Sequence, residues 1–169
     1  AGFAASTRRI AEQAGLSQAT LFQRFGDKER LFVAATFPEP LPCAEILGTL
    51  SGRSRETGAA HLAGIAVRLH AEISKSLPLL LELTGTPGIG ASVVEAAHAQ
   101  LGARAVIAGL TARIGELKKR RLLATRHSPA AIAEALLTGI HGLVLMGLLA
   151  PGAGPDERAV QRFVRTVLG

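Results

Sequence analysis

Residues 10–25 read IAEQAGLSQATLFQRF, and the glycine in the middle constrains the fold more than any other residue of the chain. On either side lies a helical pattern too short to stand alone. Residues 10–14 make barely one and a half turns, and residues 17–25 little more than two. Isolated helices need roughly 12–15 residues, because nucleation fixes several dihedrals for a single hydrogen bond. The two pieces must therefore stabilise each other. Gly15 can adopt the left-handed conformation that ends a helix without a Cβ clash. Ser6 or Thr7 is placed to cap the first piece, and Ile10, Ala11 and Ala14 give it an inner face. Leu16 is expected to plug the corner. Ser17 can cap the second piece, a contribution of about 1 kcal/mol. Leu21 and Phe25, four apart, pack back on the first helix. A small residue, a glycine and an apolar residue at positions 11, 15 and 21 fit a helix-turn-helix. Its second helix would turn Gln18, Ala19, Thr20, Gln23 and Arg24 outward, a polar face sized for the DNA major groove.

The rest of the chain is predicted to be helical too. No apolar/polar alternation bounded by hairpin turns is found, so the fold class is all-α. Breaks at Gly26–Asp27, Pro38 to Pro42, residues 52–58, residues 85–90, residues 127–129 and residues 151–155 set the helices. They are expected near 7–14, 18–25, 28–37, 43–50, 57–76, 78–84, 90–121, 129–149 and 156–168. Asp27 can cap the third helix. Pro78 is read as the first turn of a new helix, where its missing N–H costs nothing. The change to long apolar helices near Pro38 divides the chain into domains at 1–37 and 38–169.

Charge follows this division. Residues 1–37 carry a net +2 and residues 104–126 a net +6, within a total of +6. A basic balance suits nucleic acid or acidic surfaces. In the run ELKKRR, residues 116–121, cations also complement a helix C-terminus, and that is the preferred reading. The hydrophobic fraction is 48%, enough for a sizeable core. The single cysteine, Cys43, excludes an internal disulfide and suits a reducing compartment. The longest apolar runs fall short of the roughly 18 residues of a membrane span, and the start lacks a signal-peptide pattern. The expectation is a cytoplasmic protein without a membrane partner. The chain begins Ala-Gly-Phe with no initiator Met, as a fragment would.

Chemistry is not expected. There is no G-x-S-x-G, H-E-x-x-H or P-loop, and the glycines of GIGASVV, residues 88–94, follow no strand. His61, His70, His98, His127 and Cys43 lack zinc-motif spacing, so no metal and no cofactor is expected. Acidic residues are scattered singly.

The stretch AGFAASTRRIAEQAGLSQATLFQRFGDKERLFVAA, residues 1–35, resembles the DNA-binding region of TetR-family transcriptional regulators. It carries the Gly-Phe lead-in, Thr before Ile-Ala, Ala-Gly-Leu-Ser, Thr-Leu-Phe-x-x-Phe and Asp-Lys-Glu-x-Leu-Phe. The remaining chain matches only in architecture. The resemblance implies that Thr7, Ser17, Thr20 and Lys28 lie near phosphates of a double-stranded DNA operator, fixing register. Arg8, Gln18, Gln23 and Arg24 are implied at base edges, where Arg suits guanine and Gln suits adenine. Phe22 stands where the family usually has Tyr, so one hydroxyl-to-phosphate bond is lost. The family's helix ahead of the Gly-Phe segment is missing, which should weaken DNA binding.

The segment PAAIAEALLTGIHGLVLMGLLA, residues 129–150, is apolar almost all round, as a helix that is buried or partnered would be. Gly139, Gly142 and Gly147 cost roughly 1 kcal/mol each relative to Ala inside a helix. Close approach of another helix would offset that. With residues 155–168, this resembles the family's two-helix dimerisation surface. Leu136, Ile140, His141, Val144, Leu148, Val160, Phe163, Val164 and Val167 are its expected contacts in a homodimer. His141 is expected to be a satisfied core or interface group. The family also implies a small-molecule effector pocket, with His70, Ile73, Val94, His98 and Leu101 as its expected lining. The resulting expectation is a ligand-responsive repressor, with an effector-independent architectural DNA-binding protein as the alternative.

Overall fold

The computed structural model describes residues 5–48, 57–150, 152 and 154–169. Among these residues the regular structure is helical: α1 (Thr7–Gln13), α2 (Gln18–Phe25), α3 (Lys28–Thr36), α4 (Cys43–Leu47), α5 (Gly58–Thr84), α6 (Ala91–Gln100), α7 (Ala103–Lys119), α8 (Pro129–Leu149) and α9 (Glu157–Leu168). The all-α expectation holds. The expected breaks at 52–56, 151 and 153 and the Gly-Phe lead-in lie outside the described residues.

Two compact units form. One joins Ala1–Pro40 to Leu79–Gly102, and the other joins Leu41–Pro78 to Ala103–Gly169. These packing units are drawn differently from the expected division of labour at residues 37 and 38. Helix α5 is the reason. Pro78 removes an intrahelical bond and was expected to open a new helix, yet α5 continues through it. Leu69 and Ile73 are buried before the proline, and Leu80 and Leu83 after it. Their burial offsets a break that local sequence favours. The opposite correction applies to residues 90–121, expected as one helix. Gly102 takes φ +72 and separates α6 from α7. It is the same device as Gly15, at φ +69.

In the first unit, α3 packs on α6. Val33 and Phe37 meet Leu80, Leu83, Val93, Ala97 and Leu101 in a small core. Ser92 Oγ donates to Glu29 Oε2 at 2.9 Å, tying the start of α6 to the start of α3.

In the second unit, α8 packs on α7 and α9 around Ile65, Leu69, Leu110, Ile114, Leu136 and Ile140. Gly139 sits where an added Cβ would clash with the tip of the Phe163 ring, at Cζ, so its cost is offset by the approach of α9. Gly147 faces Gly154 and Pro155 closely, whereas Gly142 faces open space. His141 is satisfied, as expected: Nδ1 lies 2.8 Å from the Leu137 carbonyl, which can only accept, so Nδ1 carries the proton. The charged residues of α5 take different partners. Lys75 pairs with Glu72 at 2.6 Å, while Arg68 Nε donates to the Ile46 carbonyl at 2.8 Å.

Helix α7 ends in a Schellman-type turn, with Leu122 N donating to Leu117 O at 2.9 Å and Arg121 N to Lys118 O at 3.0 Å. Arg121 occupies the left-handed position, φ 58, where glycine is usual. A side chain there costs roughly 1 kcal/mol. By length and composition α8 could cross a membrane, which corrects the expectation that no segment reaches that threshold. Its Ile132, Ala133, Leu136, Ile140 and Val144 lie instead in the core of the unit.

Candidate nucleic-acid interface

The interface is built by the first three helices. Ala11 (1% exposed) and Leu21 (4%) close the contact between α1 and α2. Gly15 turns the chain between them, and Leu16 N donates to Ala11 O at 2.9 Å. Leu16 does not plug the corner as expected; it is 45% exposed. That backbone bond directs it outward, and Leu21 with Ala11 fills the joint. Ser6 sits at the start of α1 without a side-chain capping bond. Ser17 caps α2: its Oγ accepts from Thr20 N at 3.0 Å and shares a 2.7 Å hydrogen bond with the Thr20 hydroxyl. Asp27 caps α3, accepting from Arg30 N at 2.7 Å.

These caps fix the orientation of α2. Leu21 is its buried side, Phe22 and Phe25 are half-buried, and Gln18, Ala19, Thr20, Gln23 and Arg24 are exposed together. The outward set expected from the sequence is the one observed. Gln18 Nε2 donates to Thr7 Oγ1 at 2.9 Å, bridging α2 to the first turn of α1. Arg8 pairs with Glu12 at 3.0 Å on an exposed face, a bond worth little in water. The Arg24 guanidinium lies 5.8 Å from the centre of the Phe25 ring, at the outer reach of a cation–π contact. Lys28 is half-buried in the first turn of α3.

Such a face can do two things. Hydroxyls and cations at Thr7, Ser17, Thr20 and Lys28 suit phosphate oxygens. Gln23 and Arg24 are free to present flat hydrogen-bonding groups to base edges. Ala19, in the middle of the face, was not among the expected contacts. Its methyl is apolar and small enough for a thymine methyl, and its position two residues after the Ser17 cap was the readable signal.

The other expected sites are distributed differently. His70 and Ile73 belong to the second unit, and Val94, His98 and Leu101 to the first. Ile73 and Leu101 are buried, and His98 is exposed. His70 Nε2 is buried with no hydrogen-bond partner among the described residues. Burial lowers its pKa below the ordinary histidine value. Two concavities lie in the first unit, one of about 270 Å³ lined by Ile10, Leu31 and Phe32, the other of about 470 Å³ beside Arg24, Arg30 and Val33.

The expected dimer contacts need a correction. Leu136, Ile140, Val144, Val160 and Val164 are each at most 4% exposed within one chain. They have no surface left for a second copy, because they form the core between α7, α8 and α9. Phe163 and Val167 pack against that core, and Leu148 is 40% exposed.

Two short helices joined at a left-handed glycine, the second capped by Ser17 and open on its polar face, have the form of a DNA-binding helix-turn-helix. Residues 1–35 match the family described as bacterial regulatory proteins, tetR family. Over these 35 residues the chain thus carries a DNA-binding segment of the kind found in transcriptional regulators of that family. Comparison with curated proteins and with solved structures returned no match.

Proposed function

We propose that this chain is a homodimeric repressor, held on a double-stranded DNA operator by residues 1–37 and released by a small, largely apolar effector bound within residues 38–169. It would work in the cytoplasm. The observation that carries the reading is the open polar face of α2, fixed by the Ser17 cap and backed by Leu21. Thr7, Ser17, Thr20 and Lys28 position the helix on phosphates; Arg8, Gln18, Gln23 and Arg24 read bases; Phe22 supports them without a phosphate bond of its own.

A second copy is supported by the outer face of α8. Ala131, Ala135, Thr138, Gly142, Leu145 and Leu149 are all exposed, at alternating spacings of four and three. That is the seam of a helix pair, with small residues at one end for close approach and leucines at the other. Leu149 is 71% exposed and Met146 60%. Two such chains would offer paired recognition helices to two half-sites. An effector works only if it prefers the conformation that does not bind DNA. The orphan Nε2 of His70 supports a polar anchor for it.

Fluorescence anisotropy with DNA from the region upstream of the gene tests the reading, with random DNA as control. A preference of about 10³ or more for the upstream DNA is expected. Release of that DNA by an apolar compound should follow. Equal affinity for both DNAs would favour the architectural alternative.

A further inference from the structure

The cations of residues 104–126 are not equivalent. Arg113 donates to the Gly48 carbonyl, Lys118 Nζ donates to the His127 carbonyl at 2.7 Å, and Arg120 pairs with Glu116. Lys119, Arg121 and Arg126 are exposed and make no side-chain hydrogen bond or ion pair among the described residues. Glu116 is the one acidic residue of the segment, and Arg120 already occupies it.

The end of α7 and the loop after it, which carry these three cations, are pinned rather than loose. The turn at the end of α7 holds Arg121 and Leu122. Gly58 N donates to the Leu122 carbonyl at 2.9 Å, and Leu123 is buried. The Lys118–His127 bond closes the far end, immediately before Ser128 caps α8. Within this frame Arg121 keeps a backbone conformation that glycine would adopt without strain. Strained residues held by a rigid surround mark functional positions. The helix-terminus reading explains cations on the last turn of α7, but not a strained arginine beyond it or Arg126 five residues on.

From this geometry we infer that the end of α7 and the loop after it form a second nucleic-acid contact, made by Lys119, Arg121 and Arg126 to the phosphates of duplex DNA and blind to sequence. The pinned backbone keeps the three cations on one stretch of surface, and each phosphate they neutralise releases counterions. A lipid surface would be the rival polyanion. The loop exposes only Leu122 as an apolar anchor, too little to hold a chain on a bilayer. The inference rests on the DNA-binding reading of the chain.

The test is the salt dependence of binding to random-sequence duplex by the full chain, in three proteins. The wild type is compared with Lys119→Gln/Arg121→Gly/Arg126→Gln and with Arg158→Gln/Arg162→Gln/Arg165→Gln, which removes equal charge from the exposed side of α9. The loop variant should lower the slope of log affinity against log salt by about 2–3. The α9 variant should leave it unchanged. Arg121→Gly alone should lower the slope by about 1 while raising the thermal midpoint by about 2–4 °C, since the strain goes with the side chain. A midpoint that rises with an unchanged slope overturns the inference. Equal loss of slope in the loop and α9 variants also overturns it, leaving only net charge. So does loss of binding to anionic phospholipid vesicles by the loop variant while its DNA slope is kept. Absence of DNA binding by the wild type would instead sink the reading beneath.

Discussion

Helices α2 and α8 each leave one face uncovered, and the two faces differ in kind. On α2 the open side is Gln18, Ala19, Thr20, Gln23 and Arg24, groups that water satisfies fully. On α8 it ends in Leu145, Met146, Leu148 and Leu149, each 39–71% exposed. Leaving the first face in water costs nothing, so its meaning comes from its rigid placement by Ser17 and Leu21. Leaving the second in water is unfavourable at about 25 cal/mol per Å² of apolar surface, so it asks for cover. A polar face therefore marks what the protein can find, and an apolar one marks what it must associate with.

Placing charge on the apolar face should give the largest effect. Leu145→Glu/Leu149→Glu would bury carboxylates in the seam, costing about 3 kcal/mol or more of association, over 100-fold in the dimer dissociation constant. Sedimentation equilibrium reads this directly, and an unchanged mass would put the seam elsewhere. On the polar face, Arg24→Ala should cost about 1–3 kcal/mol of base discrimination while leaving random-DNA affinity nearly intact. A competition titration with single-base operator variants checks it. Ser17→Ala removes the cap that aims α2 and should lower stability by about 1 kcal/mol in denaturant titration. The same change on α8, Ser128→Ala, makes a useful comparison, since Ser128 also accepts from an amide, Ala131 N, at 3.2 Å.

The smallest effect concerns a group on neither face. The His70 pKa is lowered by burial, so the folded chain binds fewer protons than the unfolded one. Its contribution is present above the ordinary histidine range and is lost as pH falls from about 6.5 toward the depressed folded value. His70→Gln should flatten that part of the stability profile, measured by denaturant titration from neutral to mildly acid pH.

Much of the first unit was legible in the sequence because its determinants are local. Gly15, Ser17 and Asp27 act within four residues of themselves, and each holds the place read for it. Leu16 was misplaced because a backbone bond, not hydrophobicity, sets its direction. Pro78 and Gly102 were misjudged in opposite senses. The local penalty at Pro78 is overridden by burial on both sides of it, and nothing comparable overrides the freedom of Gly102. The outer face of α8 was least legible. A helix apolar all round has no dominant side, so its sequence cannot say which stripe the chain's own core takes. Packing chose Leu136, Ile140 and Val144 and left Gly142, Leu145 and Leu149 outside. The effector lining was read from the apolar stripe around Ile73 set against the helix carrying Val94 and Leu101, residues that fall in different packing units.

The bond from Gln18 to Thr7 has a consequence for how an operator would be chosen. In the free chain one donor of this amide is already bonded to Thr7, so meeting an adenine would exchange that partner for another and add less binding than a free amide would. Against a base that offers no matching pair, the exchange would leave an amide or a hydroxyl unsatisfied in the groove. On the proposed operator Gln18 would then act as a veto, adding little attraction at the right site and a penalty at the wrong one.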